Sequence, residues 1–283
     1  MLLSVNQVTT LQWDFERDVE LYSAADIPAI GAWRQKTTDY GTEHVAALME
    51  NAGLVISHLA WAGGFTGYTN VAGGRKNTLS DAVRDAERAI RTASAINAPS
   101  LLLHSGARGV HTPKHARRLC IEAMKRLAPL AQEEGVLLGM EPRHPACSND
   151  VTWMTGVDHV RDRRECVIEA TGCDVVRLVL DVYHLGETPG LVERIPELLD
   201  DICLVQLADR RGEAEFEQNR CMPCRGRLPV REIVSALDEA GYNGFLEMEL
   251  FGCDMESIGY IDRLFECREL FDRLTGAGAT SPK

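Results

Sequence analysis

The stretch VRLVLDVYHLG, residues 176–186, constrains the fold more than any other. An apolar run rich in β-branched residues breaks off at Asp181, and His184 follows at the start of a Gly-containing loop. Such a run suits a strand buried on both faces of a parallel sheet, delivering polar side chains at one end. The pattern recurs downstream. GVLLGMEPRHP (135–145) ends on Glu141 before a Pro that cannot continue a ladder, ICLVQLADRRG (202–212) ends on Gln206 and Asp209, and GFLEMELFG (244–252) carries Glu247 and Glu249. Each of these runs puts a metal-compatible oxygen near its C-terminal end.

The same rhythm runs through the whole chain. Strand-like segments at 2–9, 27–33, 54–61, 100–106, 136–141, 176–181, 202–207 and 245–250 alternate with helical periodicity at 11–25, 41–53, 78–98, 113–135, 157–170, 190–200, 230–241 and 256–274. Ser80 or Asp81 is the expected N-cap of the helix over 78–98. Eight such pairs in 283 residues predict an α/β fold, a single-domain (β/α)8 TIM barrel over 1–275 with a flexible tail over 276–283. Sites of such barrels lie at the C-terminal ends of the strands. An open doubly wound sheet is the alternative, but no GxGxxG follows the first strand, which disfavours a dinucleotide fold.

A formal net charge of −12 argues against nucleic acid or an anionic membrane as main partner. No apolar run is long enough to span a bilayer, and MLLSVNQVTT lacks the basic start of a signal peptide, so a cytoplasmic protein is expected. Nine cysteines, an odd number spread along a chain too large to need stapling, read as reduced thiols. Their one close pair, Cys221 and Cys224 in CMPC, lacks a second CxxC or paired His and reads as a plain loop rather than a zinc or redox site.

With the fifth to eighth strands adjacent in a barrel wall, Glu141, Asp181, Gln206 and Glu249 stand on one arc at its mouth. Three converging carboxylates would repel and be driven to protonate unless a divalent cation held them. All-oxygen donors favour a hard or borderline ion, Mn²⁺ first, with Mg²⁺, Co²⁺ or Zn²⁺ as alternatives. Glu247 shares the parity of Glu249 and points inward one layer deeper, a buried structural glutamate for which His104 or Arg143 is the expected partner. His58, in mid-strand, reads as a core residue.

The strings MEPRHP, LVLDVYH, VQLAD and YNGFLEMELF resemble the sugar phosphate isomerase/epimerase superfamily of xylose-isomerase-like barrels, which includes inosose isomerases, ketose 3-epimerases and dehydroshikimate dehydratases. LSVNQVTT, IGAWRQKTTDYG and AGLVISHLAWAGGFTG are similar to its first three strands, so the resemblance spans nearly the whole chain. It implies that Glu141, Asp181 and Glu249, rather than Glu247, bind the metal. Gln206 departs from the epimerases, which have His there, and is similar to the dehydratases. The resemblance also implies Glu141 and Glu249 as catalytic base and acid, His184 as a catalytic or substrate-oxygen histidine, and an arginine near the substrate at Arg210 or Arg211. His144, His104, Trp33 and Trp61 are further candidates for substrate contact, and Phe65 for walling the pocket.

The expected function is that of a metal-dependent isomerase or epimerase of a small sugar, inosose or keto-polyol, acting through an enediolate. A lyase dehydrating a cyclic β-hydroxy ketone is the alternative that Gln206 favours. Endonucleolytic DNA repair would need more His ligands and a basic surface, and a non-catalytic sugar-binding barrel would not need four ligands. Self-association is left open.

Overall fold

The strand-like runs form eight parallel strands that close into a ring. In this computed structural model, which describes residues 1–67, 78–148 and 151–276, they are β1 (Leu2–Asn6), β2 (Ala29–Trp33), β3 (Val55–Gly63), β4 (Ser100–His104), β5 (Leu137–Met140), β6 (Val176–Asp181), β7 (Ile202–Leu207) and β8 (Phe245–Met248). Neighbours in sequence are neighbours in space, and β8 pairs with β1 through Leu2↔Phe245 to Val5↔Met248, sealing the barrel. The surrounding helices are α1 (Phe15–Ala24), α2 (Arg34–Thr38), α3 (Thr42–Ala52), α4 (Leu79–Ala95), α5 (Pro113–Glu133), α6 (Val157–Thr171), α7 (Val182–Leu185), α8 (Leu191–Leu198), α9 (Val230–Glu239) and α10 (Tyr260–Thr275). The tail beyond 276 and residues 68–74 of the glycine-rich stretch after β3 lie outside the described residues.

Local chemistry explains where the boundaries differ from expectation. The first strand stops at Asn6 rather than Thr9, because the Asn6 side chain accepts a hydrogen bond from the Val8 N–H and turns the chain into a 3-10 turn. The cap of α4 is Thr78, not Ser80 or Asp81. Its hydroxyl accepts from the Asp81 N–H while the Asp81 carboxylate accepts from the Thr78 N–H, a reciprocal capping box.

Two cores result. The larger lies between strands and helices, where α4 buries Ala82, Ala86, Ala89 and Ala93 beside Val83 and Ile90; these small side chains let it lie close on the wall. Inside the barrel, alternate residues of each strand stack in layers. One layer below the C-terminal mouth, Leu102, Val179 and Leu204 form a separate apolar cluster on one side. On the other side the same layer is polar, built from Ser4, Ser57, His58 and Glu247, each buried.

Candidate functional site

Strand ends place the acids. Glu141 follows directly on β5, with Pro142 preventing further pairing, and Asp181 is the last residue of β6. Asp181 then caps α7, its Oδ1 accepting from the Tyr183 N–H at 2.8 Å. That one-turn helix folds His184 back, so its Nε2 lies 3.7 Å from Asp181 Oδ2 and 3.5 Å from Glu141 Oε1. Gln206 lies inside β7 and Glu249 one residue beyond β8, its N–H still donating to the Leu207 carbonyl.

Glu141, Asp181 and His184 each offer a ligand atom within 4.8 Å of the others, the one such group of three or more His, Cys, Asp or Glu among the described residues. All three are buried. Gln206 and Glu249 join Glu141 in lining a cavity of about 360 Å³ at the C-terminal mouth. Glu141 Oε1, Gln206 Oε1 and Glu249 Oε2 are buried oxygens that accept no hydrogen bond. Natural interiors rarely leave such acceptors unsatisfied. Glu141, Asp181 and His184 therefore fit a divalent cation, with Gln206 and Glu249 across the same cavity but Glu249 outside the converging group.

The layer beneath fixes the amide of Gln206. Its Nε2 donates to Glu247 Oε1 at 3.1 Å, and because an ionised carboxylate can only accept, the amide oxygen is left for the cavity. Glu247 does not pair with His104 or Arg143, as the sequence suggested. Its Oε2 lies 3.1 Å from His58 Nδ1 and accepts from Ser57 and Ser4, while Oε1 accepts from Asn6. Gly31 makes room: a Cβ there would sit 2.1 Å from Glu247 Oε2 and 2.8 Å from His58 Cε1.

Charge separates the two glutamates of the mouth. Burial alone would raise Glu141, but Arg143, His104 and His184 outweigh it and hold its carboxyl well below the usual range. His104 Nε2 lies 2.9 Å and Arg143 Nη2 3.1 Å from its Oε2. For Glu249 burial dominates, reinforced by Asp181 and Glu141 against the pull of Arg220, and its carboxyl is raised well above the usual range. Asp181 is pushed up to about 6, by burial first, against Arg220. Burial lowers the His184 and His104 imidazoles from their ordinary value, His184 the further of the two.

The other expected contacts divide. Trp33, Trp61 and His104 line the cavity, joined by Val8, Leu11 and Phe251. His184 lies behind the lining, and Phe65 is buried in the main core. His144 is half-buried outside the cavity, its Nδ1 accepting from the Ala146 N–H. Arg210 is engaged by Glu187 and the Gly212 carbonyl, and Arg211 is exposed; neither lines the cavity. Asp209 serves the loop, accepting from the N–H groups of Arg210, Gly226 and Leu228.

That loop supplies what sequence reasoning missed. Bridged at Asp209↔Cys221 and Asn219↔Gly252, it carries Arg220, fully buried between the rings of Tyr183 and Phe251 at 4.5 and 4.9 Å. Arg220 Nη2 donates to Asp181 Oδ2 at 2.7 Å and to Glu217 Oε2 at 3.3 Å. Arg143, a cavity residue, donates to both Glu141 and Glu217. Among the described residues no disulfide forms, and burial raises the Cys224 thiol, the wrong direction for a redox nucleophile. No described helix is long and apolar enough to cross a membrane.

Comparison with known proteins agrees with this architecture. The chain is 29% identical over 148 residues to a protein of Streptomyces coelicolor (strain ATCC BAA-471 / A3(2) / M145) assigned provisionally as a hydroxypyruvate isomerase, covering 48% of this chain and 47% of that one. It is 25% identical over 142 residues to an inosose isomerase of Halalkalibacterium halodurans, covering 48% and 46%. The chain thus spans about half the length of the curated relatives it matches. The crystal structure of protein SMc04130 from Sinorhizobium meliloti 1021 superposes with a TM-score of 0.84 at 25% identity, covering 96% of this chain and 98% of that one. The family described as xylose isomerase-like TIM barrel matches residues 18–267, and the chain belongs to that family.

Proposed function

We propose that the protein is a divalent-metal-dependent isomerase or epimerase of a small sugar, inosose or keto-polyol. The observation that carries this reading is the set of buried, unpartnered oxygens on Glu141, Gln206 and Glu249 beside the Glu141, Asp181 and His184 group. Glu141, Asp181, Gln206 and Glu249 would hold the ion, with His184 beside them, and Mn²⁺ is our first choice for so many oxygen donors. Bound there, the cation would supply Lewis acidity to a substrate carbonyl and its neighbouring hydroxyl.

Glu249 takes the proton next to the carbonyl, because it lines the cavity and its Oε2 is a buried oxygen that accepts no hydrogen bond. Glu141 is held anionic by Arg143 and His104 and faces the substrate from the β5 side. Return of the proton from Glu249 to the neighbouring carbon, with the hydroxyl proton passing to the former carbonyl oxygen, completes an isomerisation. An epimerisation instead needs Glu141 to take a proton from solvent and give it to the first carbon from the opposite face while Glu249 releases the proton it removed. Trp33, Trp61 and Phe251 keep bulk water from the intermediate.

Incubation of metal-loaded protein with ketoses and inososes in D₂O tests this. Deuterium is expected at the carbon next to the carbonyl, with loss of exchange after chelation. Absence of exchange from every keto-polyol tried overturns the reading, and an ultraviolet-absorbing enone in its place assigns the protein to the lyases.

A further inference from the structure

The loop after β7 carries two consecutive residues with positive φ, Phe216 at 48° and Glu217 at 66°. Non-glycine side chains are strained in this region, and such strain gathers where a side chain must be aimed. Here the turn exposes Phe216 (70%) and buries the Glu217 side chain in the cavity wall, 7% exposed. The Glu217 oxygens meet two different guanidiniums: Oε1 accepts from Arg143 and Oε2 from Arg220. Arg143 also binds Glu141, and Arg220 also binds Asp181. Counted as formal charges, Glu141, Asp181, Glu249 and Glu217 outnumber these arginines by two, a surplus that a divalent cation would cancel. No positive excess is left for an anion.

The geometry points to Glu217 as a specificity-determining residue that closes the cavity to anionic substrates, admitting uncharged keto-polyols and turning away their phosphate esters and carboxylic acids. This rests on the isomerase reading above and narrows its substrate class. Discrimination comes from both sides of the balance: the terminal donors, Nη1 and Nη2 of Arg143 and Nη2 of Arg220, that would grip phosphate or carboxylate are already taken, leaving only the buried Nε of Arg220 unpartnered, and the carboxylate that takes them repels the same groups. A glutamate that merely tied the loop to the barrel would need only one of these partners and no place in the cavity lining.

Inorganic phosphate is the probe, titrated by calorimetry into the full chain and two variants. Glu217→Gln removes the charge and keeps the shape; Glu217→Gly suits the positive φ and opens a path to Arg220. Both variants are expected to bind phosphate at least about tenfold more tightly than the unaltered protein, and adding Arg143→Ala to Glu217→Gln is expected to reverse the gain. Equal phosphate affinity in all three proteins overturns the proposal, as does tight binding by the unaltered protein. The readout requires no turnover. Gain of phosphate binding in a protein that exchanges no deuterium defeats the isomerase reading and leaves the gate standing, whereas exchange without the gain defeats the gate alone.

Discussion

Glu247 and Glu249 stand two residues apart, both turned into the barrel, and they live in opposite environments. Glu247, one layer down, is met by His58, Ser57, Ser4, Asn6 and Gln206, and although burial alone would raise its carboxyl, His58 and these hydrogen bonds hold it below the usual range. Glu249, at the mouth, has a buried oxygen with no partner and a carboxyl raised well above that range. A buried acid whose every lone pair is answered is structure; one left unanswered at the edge of a cavity is chemistry in waiting. The two layers teach that satisfaction of hydrogen bonds, more than burial or parity, separates the roles.

The sharpest way to break this contrast is to neutralise each glutamate in turn. Glu249→Gln is expected to lower turnover by about 10²–10⁴-fold, the range for loss of a general acid or base, while the unfolding midpoint stays near that of the parent. Normal turnover in this variant removes Glu249 from the mechanism. Glu247→Ala should act first on stability, costing about 3–5 kcal/mol in urea unfolding, because it strands His58 and four further donors in the barrel interior, and it also frees the Gln206 amide that Glu247 orients. A loss below about 1 kcal/mol would show that the lower layer is not the clamp its contacts describe.

The contrast also predicts a pH dependence confined to the upper layer. Asp181, pushed up to about 6 by burial first and by its acidic neighbours, must lose its proton to serve as a ligand, as must Glu249. Protons compete with the metal, so affinity for Mn²⁺ is expected to fall as pH drops through about 6, by about tenfold per pH unit for each proton displaced. Glu247, held ionised, adds nothing to that slope. Calorimetric titration between about pH 5 and pH 8 measures it, and a flat profile contradicts the ionisation assigned to Asp181.

Sequence reasoning reaches the strand ends because the signal there is local. An apolar run that stops on an acid announces both the strand and the end at which its cargo sits, and Glu141, Asp181, Gln206 and Glu249 all come from such runs. Pairings across the barrel are not local. Parity shows that Glu247 faces inward but not which of the other strands meets it, since that depends on the stagger of the closed sheet, and the partner is His58 on β3 rather than His104 or Arg143. Arg220 and Glu217 lie in a loop of more than twenty residues between β7 and α9, where no periodicity marks direction. Attention therefore falls on Arg210 and Arg211, nearer the strand, although the turn pinned by Asp209 carries the chain past them and returns Arg220 to the site.

Gly31 carries a consequence for lineages of this barrel. The space that its missing side chain leaves is occupied by the carboxylate from β8 and the imidazole from β3. A methyl at position 31 and an acid at position 247 therefore exclude one another, and descent can exchange them only together. Aligned descendants and cousins should consequently sort into two groups, those with a bare backbone at 31 above an ionic floor and those with a filled 31 above a greasy one, with mixed combinations selected against.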